Sequence, residues 1–364
     1  MAGARRANEA GLISSVAMFL SLIPSEVFSA QSTSGAAFLG ITPSVRSFAL
    51  GQANALTALG AEAVGANPAN LGLMSQEMEV YTSYSTLMDG SQFEHISMAY
   101  APHGFFDGLG VSMTRLYTGG FVGADTSGNF TNSSFSAGDT ALALSASAHP
   151  TQNLRIGVTG KVAQSAIAGY NSNWAPAADF GMTYSARLFQ RPFSIGASLL
   201  NYGQAMKFID QADQLPEMAN FGAAIPLGDF FVVAEFNRLI IEQLTQVSLG
   251  AEYRLGPVSF RLGYLEESQA SNLALQDQSA VGQIVGSGLS EGLGVDLGDF
   301  RVDWAMSNQA VDFGTTQRLA LSLRWGNPSS HSHTPKNKKS KTSWFRGLLK
   351  GSAHPDQSDW LMFY

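Results

Sequence analysis

From residue 292 to residue 325 apolar and polar positions alternate almost without a break. Phe300, Val302, Trp304 and Met306 share one parity; Arg301, Asp303, Ala305 and Ser307 share the other. Leu319, Leu321, Leu323 and Trp325 likewise alternate with Arg318, Ala320, Ser322 and Arg324. Successive side chains of a strand point to opposite faces. A strand built here has one face of hydrocarbon and one that carries full charges. A soluble sandwich hides its oil inside, whereas a membrane barrel turns it toward lipid and keeps its charges in the lumen.

The same pattern predicts fourteen strands: 78–88, 92–100, 108–118, 138–149, 152–163, 174–186, 192–201, 217–225, 229–238, 243–255, 257–264, 289–297, 299–308 and 316–325. Each is close to the roughly 9–11 residues that a tilted strand needs to cross a bilayer. The even-numbered links are mostly tight, as at Pro150-Thr151, Gly256 and Gly298, and the long links 119–137, 164–173, 202–216 and 265–288 are all odd-numbered. Bacterial barrels have short periplasmic turns and longer outer loops. Two links fit poorly: 89–91 is short for an outer loop, and 101–107 is long for an inner turn.

Parity assigns a set of charges to the lumen: Arg155, Lys161, Asp179, Glu235, Glu252, Arg254, Arg261, Asp296, Arg301, Asp303, Arg318 and Arg324. Tyr81 and Phe231 are the aromatic exceptions on a face otherwise made largely of Gly, Ala, Ser and charge. Glu94, Arg115 and Glu291 fall on the outward parity toward the outer strand ends, and Glu94 and Arg115 are placed to pair across one hairpin. The default role of the inward charges is mutual bracing of a barrel interior.

Composition sharpens this picture. Only 13% of the 364 residues are charged, against about 25% in an ordinary soluble domain. Residues 31–325 hold 13 basic and 24 acidic side chains, so they offer no basic surface for nucleic acid. Cysteine is absent, which excludes disulfides and thiol chemistry. Residues 1–30 read as a signal peptide: Arg5 and Arg6, an apolar run from Leu12 to Ile23, and cleavage after Ala30. That run is too short to span a bilayer as a helix. Residues 326–364 form a basic tail without strand pattern and are expected to be disordered on the periplasmic side.

Residues 31–77 have a different texture. A small-residue run from Gly51 to Ala61 precedes Asn67-Pro68-Ala69, where Asn suits a helix cap and Pro the first helical position. The segment reads either as a helical turn leading into the first strand or as a plug inside the barrel. Pro43-Ser44-Val45-Arg46-Ser47-Phe48-Ala49-Leu50-Gly51-Gln52-Ala53 followed by Ala66-Asn67-Pro68-Ala69-Asn70-Leu71 resembles the opening segment of the PorV/PorQ-type outer-membrane proteins, within the wider FadL-like superfamily. Val247 to Arg254, Arg261 to Tyr264, Gly292 to Val295 and Val302 to Ala305 extend the resemblance, which covers residues 36–325. It implies an all-β transmembrane antiparallel barrel of fourteen strands whose N-terminal segment plugs the lumen, with Arg46, Gly51, Asn67, Pro68 and Ala69 as the plug motif. It also implies two roles: capture of secreted protein cargo for a secretion machine, or passage of hydrophobic molecules.

No nucleophile elbow, phosphate loop or zinc-protease motif is present, so no enzyme, cofactor or metal is expected. His331 and His333 share the tail and read as solvated. His95 lies on the lumen parity near Ser97 and Ser112 without an orienting third group. Asn129 to Thr131 and Asn132 to Ser134 read as polar loop. The expected partners are outer-membrane lipid and lipopolysaccharide, with secreted cargo, secretion-machine subunits or a hydrophobic ligand. The sparse lumen aromatics favour a cargo-binding barrel; hydrophobic transport and a passive pore are the alternatives.

Overall fold

The structure, a computed structural model, describes residues 34–87, 90–102, 104–124, 129–188, 191–269, 288–308 and 315–328. The expected signal peptide and its cleavage site, most of the tail with His331 and His333, and much of the 265–288 link lie outside the described residues. Among those described, no helix is long and apolar enough to cross a membrane.

Fourteen strands form the wall: β1 Gln76–Thr86, β2 Gln92–Tyr100, β3 Gly108–Ala124, β4 Phe130–Thr151, β5 Leu154–Ile167, β6 Ala175–Leu188, β7 Arg191–Gly203, β8 Met218–Leu227, β9 Phe230–Leu239, β10 Leu244–Leu255, β11 Val258–Gln269, β12 Gly288–Asp296, β13 Phe300–Asn308 and β14 Thr315–Pro328. Each pairs antiparallel with its sequence neighbours, and β1 pairs with β14, Val80 opposite Leu323 and Ser85 opposite Arg318. The sheet is therefore a closed antiparallel cylinder with no free edge.

Alternation holds around the wall. Ile96, Met98, Val111, Leu144, Phe180, Phe221, Leu249, Leu262, Leu293 and Leu319 face outward and are exposed. Ser83, His95, Ser97, Thr159, Asp179, Asn220, Glu235, Glu252, Asp303 and Arg318 face inward and are buried. A water-soluble protein rarely exposes contiguous apolar patches above a few hundred Å²; here the apolar surface encircles the molecule.

Residues 34–75 fill the lumen. A single turn Ala37–Gly40 leads to helix α1, Val45–Ala49, and helix α2, Asn54–Thr57, followed by turns at Gly60–Ala63 and Pro68–Gly72. Ser44 caps α1 by accepting from the Ser47 amide at 3.1 Å, and Asn67 caps the last turn by accepting from the Ala69 amide at 3.1 Å. Both readings of the Asn-Pro-Ala segment thus meet: it is a helical turn, and it lies inside the barrel.

Several expectations need correction. The 119–137 link is largely strand, because β3 runs to Ala124 and β4 starts at Phe130 across register shifts near Thr118 and Val122. At 17 and 22 residues these strands exceed the bilayer requirement, so the hairpin projects beyond the wall, with Phe121 and Phe135 stacked at 5.2 Å. Phe130 and Thr131 belong to this ladder rather than to a loop. The 202–216 link contains a small hairpin, Met206–Phe208 with Gln211–Asp213. Glu94 and Arg115 do face each other in register, but Arg115 lies over the Tyr117 ring at 5.3 Å instead of forming an ion pair. The long 101–107 link ends in Asp107, a fully buried side chain that lies against Gly72 of the plug.

Candidate functional site: the plug and its seat

The plug meets the wall through charge on one side and bare backbone on the other. Glu252 on β10 takes the plug's Arg46 at 2.9 Å and Arg261 of β11 at 2.7 Å; Arg254 stands 3.4 Å away. Arg261 also reaches Asp303 of β13 at 2.6 Å, and Asp303 holds Arg301 at 2.6 Å. Arg301 closes the chain on Glu62 of the plug, which also accepts from Ser44. The result is an alternating series, Arg46–Glu252–Arg261–Asp303–Arg301–Glu62, that starts and ends on the plug. Breaking a buried pair typically costs about 3–5 kcal/mol, because the surviving charge is stranded.

Glu235 of β9 accepts the amides of Asn54 and Ala55, at 3.0 and 2.7 Å, at the start of α2. Tyr81 of β1 accepts from the Val45 amide and donates to the Pro43 carbonyl, at 2.9 and 3.0 Å. Ser97 donates to the Ala61 carbonyl at 2.8 Å. The amides of Asn67 and Asn70 both reach the Ala55 carbonyl, and Thr183 of β6 donates to Asn70 at 2.7 Å. Asp107 collects Ser147 at 2.5 Å, His149 at 3.2 Å and Arg155 at 3.5 Å, directly beneath Gly72.

Where the plug has no charge to offer, the wall gives way. A Cβ on Gly181 would sit 2.0 Å from the Asn67 side-chain oxygen, one on Gly157 2.3 Å from the Pro68 carbonyl carbon, and one on Gly263 2.0 Å from the Gly51 nitrogen. Close approach of two backbones is a use that only glycine permits. The small-residue lumen is therefore the footprint of the plug and not the lining of a conduit.

Comparison with solved structures finds barrels of the same fold. The fold is that of TodX and FadL. The chain aligns with the Pseudomonas putida toluene transporter TodX over 82% of its length and 98% of that chain, at 13% identity and a TM-score of 0.52. A mutant of the TodX monoaromatic hydrocarbon channel gives 78% and 97% coverage, 13% identity and 0.53. A Pseudomonas aeruginosa FadL homologue gives 80% and 98% coverage, 10% identity and 0.50. Identities this low establish fold alone. No protein-family model and no curated protein sequence matches the chain.

Within this barrel, the first residues of the plug join an apolar cluster near the rim that carries the odd-numbered links. Phe38, Ile41, Leu87, Phe93, Met206 and Leu215 pack together there. Beside them lies a cavity of about 30 Å³, lined by Phe38, Ile41, Phe93 and Ala141 together with Ser112, Thr114, Ala143 and Lys161. Ser112, Ala143 and Lys161 also border a broad groove on the outer face, whose other walls include Ile96, Met98, Val111 and Leu144. Next to it the wall is irregular: register shifts at Asp179, opposite Asn201, whose φ is 61°. Lys161 is pinned there by Asp179 at 2.7 Å and Asn201 at 2.6 Å.

All twelve charges assigned to the lumen by parity occupy inward positions. Arg324 and Asp296 pair at 2.7 Å near the tight-turn rim, with Asp296 partly open to solvent. Arg46, Gly51, Asn67, Pro68 and Ala69 are buried in the plug. His95 is buried and bonds Thr114 at 2.8 Å, not a serine. Residue patterns did not single out Glu62, Glu79 or Asp107. Glu79 shares the parity of Tyr81 and could have been found; Glu62 and Asp107 lie outside regular strands, where parity gives no signal. Among the described residues no cluster of three His, Asp or Glu could hold a metal.

Proposed function

We propose that this protein is a non-enzymatic outer-membrane barrel, seated in lipid and lipopolysaccharide, that passes small hydrophobic molecules past its plug. The observation that carries this reading is the small cavity beside Phe38 and Ile41, which shares Ser112, Ala143 and Lys161 with the apolar groove on the outer face. A hydrophobic solute gains about 25 cal/mol per Å² of surface removed from water. Once the cavity widens, it can therefore gather against Phe38 and Ile41 and leave sideways into the bilayer beside Lys161. The outward apolar belt and the tight-turn rim support the membrane setting.

The lumen composition at first favours a cargo-binding barrel over transport. The structure removes the ground for that preference, because the residues read as conduit walls are the seat of the plug. The TodX-type neighbours include a toluene transporter and a monoaromatic hydrocarbon channel, which supports the transport reading. A cavity of about 30 Å³ holds roughly one water by its share of liquid volume, so the passage is closed here and must widen to admit a solute.

The test is uptake of radiolabelled toluene by cells that lack the protein and by the same cells complemented with it. The expected result is several-fold slower uptake without the protein, restored by wild type. Equal initial rates in the two strains would remove the proposal.

A further inference from the structure

Among the described residues, Arg318 is the buried cation that has no carboxylate in ion-pair range; Arg46, Lys161 and Arg261 all have one. Its side chain is held only by neutral groups of the plug. One terminal nitrogen donates to the Thr42 carbonyl at 2.6 Å, and the guanidinium carbon lies 3.8 Å from the centre of the Phe48 ring. Its Nε is buried and donates to nothing. Directly across the β1–β14 seam stands Ser85, and two residues along the same face of β14 stands Thr316. Both are 1% exposed, and neither hydroxyl has a partner.

One guanidinium nitrogen and two hydroxyls without partners thus share one stretch of the seam, around a full positive charge that no carboxylate meets. A buried hydroxyl left unsatisfied costs on the order of 1–3 kcal/mol, and a buried charge left unpaired costs more. Among the described residues the other buried cations, Arg46, Lys161 and Arg261, each meet a carboxylate, so Arg318 stands apart. A water molecule could join these groups, since hydroxyls both donate and accept, but it would leave the arginine's charge unbalanced. A small anion accepts from all three groups and neutralises the arginine.

We propose that Arg318, Ser85 and Thr316 form a binding site for a small monovalent anion, a halide or a free carboxylate, at the seam where the barrel closes. Thr42 and Phe48 belong to the plug, so an anion held here fixes the wall arginine that grips both. The site is independent of the transport reading, since it requires only the contact between plug and wall.

The experiment uses the full chain purified in detergent. Thermal unfolding is followed across sodium bromide and sodium formate series in wild type and in a Ser85→Ala/Thr316→Val double variant that keeps Arg318. General salt effects act on both proteins alike. Wild type should gain about 4 °C more than the variant, in a saturable curve. Bromide alone or formate alone giving the gain would identify the halide or the carboxylate as the occupant. A crystal grown in bromide should show anomalous scattering within hydrogen-bond reach of Arg318 Nε, Ser85 Oγ and Thr316 Oγ1. Identical curves for the two proteins, or a water at that point with no anomalous signal, would overturn the proposal.

Discussion

Gly263 and Gly157 lack side chains because the plug's backbone already occupies the space a side chain would take. This gives a prediction at the scale of one residue. Gly263→Val pushes a branched side chain into the Gly51 nitrogen, and the neighbouring strand backbone cannot retreat without losing its ladder. The barrel should still fold, because its wall hydrogen bonds are untouched, but the plug should unseat. Limited proteolysis that cuts between residues 34 and 75 in the variant and not in wild type would show this; equal protection would refute it. Sequence pattern located the inward charges because strand parity is a strict rule with period two. It could not say which charge meets which, since Arg46 and Glu252 are 206 positions apart and their meeting depends on the path of an irregular plug. Nor could it show why the lumen is small, as a glycine that clears space for another backbone looks in sequence like any other glycine.

At the scale of elements, the alternating series from Arg46 to Glu62 ties α1 and the Gly60–Ala63 turn to β10, β11 and β13. Glu252 is its hub, fully buried and shared by Arg46 and Arg261. Glu252→Gln should strand part of two guanidinium charges and loosen the plug by about 3–5 kcal/mol. Hydrogen exchange at the amides of residues 44–63 should quicken by two or more orders of magnitude while the strand amides of β10 and β11 stay protected. Unchanged exchange in the plug would mean that the series is not what holds it. All fourteen strands were legible, since half-buried strands declare themselves by alternation. Their ends were less so: β3 and β4 run on through Ser, Thr and Gly positions and across register shifts, where the period fails. The small hairpin at 206–213 is too short for a period to register at all.

For the molecule as a whole, the outward hydrocarbon belt and the inward plug imply different things and are separately testable. The belt requires a lipid or detergent environment. The plug requires that the cylinder, although wide enough for water once emptied, be closed at rest. That closure is what lets a side route beside Phe38 and Lys161 act selectively, where an emptied cylinder would be an open hole. The most direct measurement is ion conductance in planar bilayers for the full chain beside a variant in which residues 34–75 are deleted. The account predicts almost no current from the full chain and stable, large steps from the deletion. Steps of equal size from both would contradict it.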